Sequence, residues 1–191
     1  MADRGRAGKL LGVPEGKTRL GIRDRAILAL LVACGLRRDE LVRLEVRHLQ
    51  LRDERWVLLD LEGKGRRVRT VPVPLWVKRM LDRWLAEAEI AEGPLFRTLR
   101  KGDRLGPAEK PISEDLIYTL VRRAGAAIGH PDLTPHDLRR TCAKLCRKAG
   151  GDLEQIQLLL GHASIQTTER YLGTKQDLVQ AVNDRVKIRV E

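Results

Sequence analysis

Tyrosine and cysteine are scarce in this chain, two of the first and three of the second, and no apolar run approaches the roughly 18 residues that a membrane-crossing helix needs. Each scarcity excludes something. Cys34, Cys142 and Cys146 are an odd set without framework spacing, so a disulfide-stapled secreted scaffold is excluded and a reducing, cytoplasmic setting is expected. The opening "MADRGRAGKL" has no apolar core of the kind a secretory leader carries, so neither a signal peptide nor a membrane span is expected. The stretch "GVPEGKT" at 12–18 resembles a phosphate loop, but it has three residues between its glycines where the Walker pattern has four, and no strand precedes it. Nucleotide hydrolysis is therefore set aside.

What the chain has in excess is positive charge. Against 26 Asp and Glu stand 37 Lys and Arg, a net charge of +11 and a pI near 10.1. A polyanionic partner follows, and much of the excess is arginine, whose planar fork matches phosphate better than a lysine point charge does. A thermophilic or GC-rich composition would give the same balance without such a partner. At 191 residues the chain is long enough for one domain with a sizeable core.

Periodicity sorts the chain into a mainly helical domain with one small antiparallel sheet, an α+β arrangement. Residues 1–20 are rich in Gly and basic residues without periodicity and read as a leader or linker. Residues 22–33, "IRDRAILALLVA", predict a mostly buried helix stopped by Gly35. A tight turn, "GLRRDE", leads to a second helix with Leu41, Leu44 and Glu45 at helical spacing. Residues 56–73, "WVLLDLEGKGRRVRTVPV", predict a hairpin turning at Gly-Lys-Gly, and "PLWVKRMLDRWLAEAEI" returns to helix behind Pro74. Residues 93–111 read as loop. Five or six helical segments follow to about residue 185, with a short strand, "KIRV", near the end.

Two stretches of this helical half bear chemistry. In "LTPHDLRRTCAKL", Thr134 suits an N-cap, Pro135 the first helical position, and Asp137 completes a capping box, so a helix starts there. His136 and Arg139, at i and i+3, then share one face of a helix tip whose free N–H groups and dipole attract anions. In "GHASIQTTERYLG", a helix over 153–160 ends at Gly161, His162 lies in the connection, and Ser164 can cap a short helix ending near Tyr171 and Gly173. Tyr171 is thus either a core tyrosine with its hydroxyl satisfied or a nucleophile carried to something His162 holds. Tyr118, beside Ile117, Leu120 and Val121, fits the packing role better.

The ordered set "ACGLRRDEL", "GKGRRVRTVPV", "LTPHDLRRTCAKL" and "LLGHASIQTTERYL" resembles the catalytic domain of the tyrosine recombinases, the phage-integrase family of site-specific DNA recombinases, over nearly all of residues 20–185. By that resemblance Arg37, Lys64, His136, Arg139, His162 and Tyr171 match the family's active-site residues, and Glu40 its acidic supporting position. The chemistry calls for these residue types. A phosphodiester under attack gains negative charge on its nonbridging oxygens, which Arg37 and Arg139 would stabilise. Tyrosine, with an ordinary pKa of about 10, needs a base or a cationic pocket, and His136 could serve. Lys64, on its Gly-flanked turn, would protonate the leaving 5′ oxygen, His162 would bond a phosphate oxygen, and Glu40 would orient Arg37 or a histidine. The expected product is a 3′-phosphotyrosyl link, formed without nucleotide, metal or other cofactor.

The resemblance further implies double-stranded DNA as partner and a tetrameric synapse on DNA, with a monomer when free. Residues 21–173 would be the catalytic domain and 174–191 an arm that docks on a neighbouring subunit. The family's usual N-terminal clamp domain does not fit within residues 1–20, which leaves either an excised catalytic domain or a minimal protein. Other readings stay open: a type IB topoisomerase-like relaxing enzyme, a catalytically silent DNA-binding regulator, and a metal site from His136, Cys142 and Cys146. Missing Cys-x-x-Cys spacing weighs against the last, and small buried hydrophobes account for both cysteines.

Overall fold

The structure is a computed structural model. It describes residues 4–62, 68–162 and 164–172, without the side chains of residues 165, 166, 170 and 171. The helices are α1 (Arg4–Gly12), α2 (Arg19–Ala33), α3 (Arg38–Val42), α4 (Leu75–Ala88), α5 (Glu114–Ala127), α6 (Pro135–Lys148), α7 (Leu153–Leu160) and α8 (Ile165–Leu172). Strands β1 (Leu49–Arg52), β2 (Arg55–Glu62) and β3 (Val68–Pro72) form an antiparallel sheet in that order, and β4 (Leu99–Arg100) pairs with β5 (Arg104–Leu105). The expected class, mainly helical with small antiparallel sheets, is the one observed. Among the described residues no helix is long and apolar enough to cross a membrane.

Helix α2 is the centre of the core because its residues 26–33 are apolar on every side, and such a stretch is stable only when covered all round. Residues 26–31 are all fully buried, with α1, α4, α5 and α6 packed around them. Thr18 caps its start by accepting from Gly21 N at 3.1 Å. At its end Gly35 takes φ +60, the left-handed conformation that glycine adopts without a Cβ penalty. The sheet docks beside α4, where Lys78 Nζ sits 3.7 Å from the centroid of the Trp56 ring. Leu58 pairs with Val71 across β2 and β3, and both are buried.

Four local expectations are corrected. Residues 4–12 are not an aperiodic leader: they form α1, whose Ala7 and Leu10 enter the core. Burying Leu10 is worth about 2 kcal/mol, which outweighs the poor helix propensity of the glycines around it. The second helix is only five residues long, α3, followed by a 3-10 turn at Val46–His48. Strand β1 precedes the expected hairpin and carries little sequence signal, because it is short and half exposed and because Asp53 and Glu54 make its turn to β2 at positive φ without a glycine. Finally, the stretch 93–111 contains the two-residue strands β4 and β5. Lys64 and residues 174–191 lie outside the described residues.

Candidate active site

The tip of α6 is built as its local sequence requires. Thr134 Oγ1 accepts from Asp137 N at 3.3 Å, while Asp137 Oδ2 accepts from Thr134 N at 3.1 Å and from its hydroxyl at 2.6 Å. This cap fixes where the helix begins, and therefore which way His136 and Arg139 face. Arg139 is 3 % exposed and donates Nη1 to the carbonyl of Gly35 and Nη2 to that of Leu160. It thereby joins the end of α2 to the end of α7.

The C-terminus of α7 gathers three arginines on three consecutive carbonyls. Arg69 of β3 donates Nε to Leu159 O at 3.1 Å, Arg139 reaches Leu160 O, and Arg37 donates Nη2 to Gly161 O across a long 3.5 Å. The physical reason is that the last carbonyls of a helix have no partner within it and carry the negative end of its dipole. Gly161, at φ +62, ends the helix so that the chain can turn into His162.

One carboxylate sits among these cations. Glu40, its side chain fully buried, accepts from Arg37 N at 2.7 Å and Arg37 Nη1 at 2.7 Å. It also takes both arms of the Arg69 fork, Nη1 at 2.6 Å and Nη2 at 2.9 Å. Burial alone would raise its pKa; the hydrogen bonds and charge of Arg69, with those of Arg37, overcome that and hold it down at about 2. Glu40 is therefore a fixed anion that binds two guanidinium groups.

His162, buried, has Nδ1 3.0 Å from Thr168 Oγ1 of α8, and its carbonyl accepts from Gln157 Nε2 at 3.2 Å. Burial and then the charges of Arg139, Arg37 and Arg69, together with His136, push its pKa down to about 4. His136, on the exposed tip of α6, is lowered too, first by burial, with Arg140, Arg139 and Arg37 assisting and Asp137 opposing. Both imidazoles are thus biased toward the neutral form, which can accept a proton.

Arg37, His136 and Arg139 line one open cavity of about 340 Å³, together with Arg38, Glu114 and Tyr118. Tyr118 here departs from expectation. It is 40 % exposed rather than packed in the core, and the Arg38 guanidinium lies 5.9 Å from its ring centroid. The apolar stripe of α5 faces inward through Ile117, Leu120 and Val121, and Tyr118 stands just off it on the cavity side. A larger groove of about 790 Å³, between the 3-10 turn and β2, reaches only Glu40 of the site.

Of the other sequence-predicted residues, Tyr171 lies by its backbone in the last turn of α8, a helix packed on α6 and α7. Lys64 stands between β2 and β3 in the sequence, outside the described residues. Among the described residues no group of three or more His, Cys, Asp or Glu side chains is placed to hold a metal ion. Cys142 instead points its thiol at Ala33 O, 3.4 Å away, and burial raises the Cys34 thiol to about 12. Arg69, Tyr118 and Thr168 were missed as members of the site. Arg69 had a signal, its place in "GKGRRVRTVPV", but nothing in that stretch tells a buried arginine from its exposed neighbours.

The sequence matches the phage integrase family over residues 7–177. A tyrosine recombinase XerD of Xanthomonas campestris pv. campestris is 35% identical over 190 residues, 92% of this chain and 55% of that protein. A tyrosine recombinase XerC of Ralstonia pickettii is 38% identical over 182 residues, 89% of this chain and 55% of its own length. The chain thus spans about half the length of the curated relatives it matches. Among solved structures, the XerH site-specific recombinase bound to difH substrate in a pre-cleavage complex aligns with a TM-score of 0.72 at 25% identity, over 92% of this chain and 50% of that one. The XerA recombinase aligns at 0.70 and 26% identity, over 91% and 60%. With the family pattern covering nearly the whole sequence and the fold shared with these recombinases, the chain belongs to the phage integrase family.

Proposed function

We propose that this chain is the catalytic domain of a site-specific DNA recombinase that cuts and rejoins one strand of a duplex through Tyr171. The observation that carries this reading is the convergence of Arg37, Arg139 and His136 on one cavity beside the His162 turn, from which α8 leads to Tyr171. The Tyr171 hydroxyl attacks the phosphorus and the bond to the 5′ oxygen breaks, leaving a 3′-phosphotyrosyl link and a free 5′-hydroxyl. His136 takes the tyrosine proton and Lys64 gives one to the departing oxygen. Arg37 and Arg139 hold the nonbridging oxygens, where charge builds up in the transition state, and His162 bonds one of them. One ester is exchanged for another, so religation needs no nucleotide or other cofactor.

Duplex DNA is the partner, met in the cytoplasm. XerH was solved bound to difH substrate in pre-cleavage and post-cleavage complexes. We further propose that the chain is monomeric when free and assembles as a tetramer on DNA, with residues 174–191 docking on a neighbouring subunit. A relaxing topoisomerase would use similar groups without fixed sites. Relaxation of supercoiled plasmid of arbitrary sequence separates the two.

The direct test is covalent capture. Incubated with a nicked suicide duplex and resolved on a denaturing gel, the protein should give a shifted band that Tyr171→Phe abolishes and Tyr118→Phe retains. Because Tyr118 opens into the same cavity, it is the competing nucleophile. An adduct that survives Tyr171→Phe and disappears with Tyr118→Phe would overturn the assignment.

A further inference from the structure

We infer that Arg69 is a positioning residue for strand cleavage: it balances the Glu40 charge and pins the end of α7, so that the positive charge of Arg37 stays available, and in place, for the phosphate. The inference rests on Arg37 binding the scissile phosphate, as proposed above.

The geometry separates Arg69 from the other two arginines at the α7 terminus. Arg37 and Arg139 line the cavity, whereas Arg69 lines neither that cavity nor the larger groove. Its side chain is 9 % exposed and each of its three nitrogens donates inward: Nε to Leu159 O, and one Nη to each oxygen of Glu40. Its aliphatic part lies against the turn that leads to His162, since a Cβ on Gly161 would come within 2.8 Å of Arg69 Cδ. A substrate ligand must open on the cavity, as Arg37 and Arg139 do and Arg69 does not. Arg69 is a strut from the sheet to the helix terminus.

Charge counting gives the strut a second effect. Glu40 faces Arg37 and Arg69 together, one anion between two cations. Planar bidentate pairing directs the carboxylate chiefly toward Arg69, and a net positive charge is left on the cavity side for a phosphate. Without the Arg69 charge, the Glu40 carboxylate would be compensated by Arg37 alone, and the clamp would reach the phosphate largely cancelled. Loss of Arg69 should therefore do more harm while Glu40 remains charged than after Glu40 has been neutralised.

The experiment measures single-turnover cleavage of two suicide duplexes, one with an ordinary scissile phosphodiester and one with a methylphosphonate there. The methylphosphonate lacks one nonbridging oxygen and its charge, so it demands less of Arg37. Rates are referred to the intact protein on the same substrate, and melting temperatures are recorded alongside. Arg69→Gln should slow phosphodiester cleavage by about a hundredfold, the order seen when one preorganised charge-stabilising contact is lost. It should slow methylphosphonate cleavage far less, as should Arg37→Ala. The double variant Glu40→Gln/Arg69→Gln, which removes both members of the buried pair, should cleave the phosphodiester faster than Arg69→Gln alone. It also keeps the question open to test if the single variant folds poorly. Equal slowing on both substrates, or a double variant no faster than the single, overturns the inference. If the intact protein forms no adduct on either substrate, the reading beneath it falls as well.

Discussion

Glu40 and His162 sit in one field of arginines and answer it in opposite ways. Burial first, and then Arg139 with the Arg37 and Arg69 that hold Glu40 ionised, keeps His162 neutral, and this fixes the direction of the pH response. The His162 pKa falls from 6.5 to about 4, so between those values the unfolded chain binds a proton that the folded protein refuses. Above pH 6.5 His162 is neutral in both states and costs nothing; as the pH falls toward 4 it progressively destabilises the fold. For Glu40, lowered from 4.5 to about 2, a contribution to stability is present above pH 4.5 and lost toward pH 2. Melting temperatures taken from pH 4 to 8 should fall below pH 6.5 more steeply for the intact protein than for His162→Gln, with parallel curves above it. Parallel curves throughout would mean that His162 titrates normally. A bound phosphate would offset the arginines and raise the His162 pKa, so DNA binding near pH 5.5 should take up protons.

At the scale of elements, the C-terminus of α7 is where the site is held together. Gly161 has two separate reasons to be glycine. Its φ of +62 costs an alanine about 1–2 kcal/mol, and the added Cβ would stand 2.8 Å from Arg69 Cδ. Gly150 supplies the control: it too has positive φ, +89, but nothing lies within 4 Å of the Cβ position. Gly150→Ala and Gly161→Ala should both melt earlier. Only Gly161→Ala should lose cleavage at temperatures where both are folded, because only there is Arg69 displaced. Wild-type cleavage rates in Gly161→Ala would show that the α7 terminus tolerates a shift of its arginine strut.

For the whole molecule the governing quantity is the net charge of +11. Neutralising DNA phosphates releases condensed counterions, so affinity should fall steeply with salt. With about six phosphate contacts the loss between 50 and 200 mM salt would be about a thousandfold. Fluorescence anisotropy on two unrelated duplexes should give steep log-log slopes and similar affinities. A shallow slope with strong preference for one duplex would instead place base readout within this domain.

Several features that depend on a few neighbouring residues were legible from the sequence alone. The Thr134–Asp137 cap, the α7 span with Gly161 at its end, the Gly35 stop after α2 and the β2–β3 hairpin are each specified by hydrogen bonds or backbone freedom within a single turn of chain. The motifs also supply the residue types, in order, of the candidate site. The tertiary structure decided which of many arginines are buried and what they grip. Arg69, Arg37 and Arg139 come from β3, the start of α3 and α6, and meet because a helix terminus with unpaired carbonyls and a buried Glu40 stand where those elements cross. Tyr118 belongs to the cavity because α5 packs beside α3, and α1 belongs to the core because α2 offers it an apolar face. Burial and long-range pairing are set by elements far apart in the chain, and no local pattern encodes them.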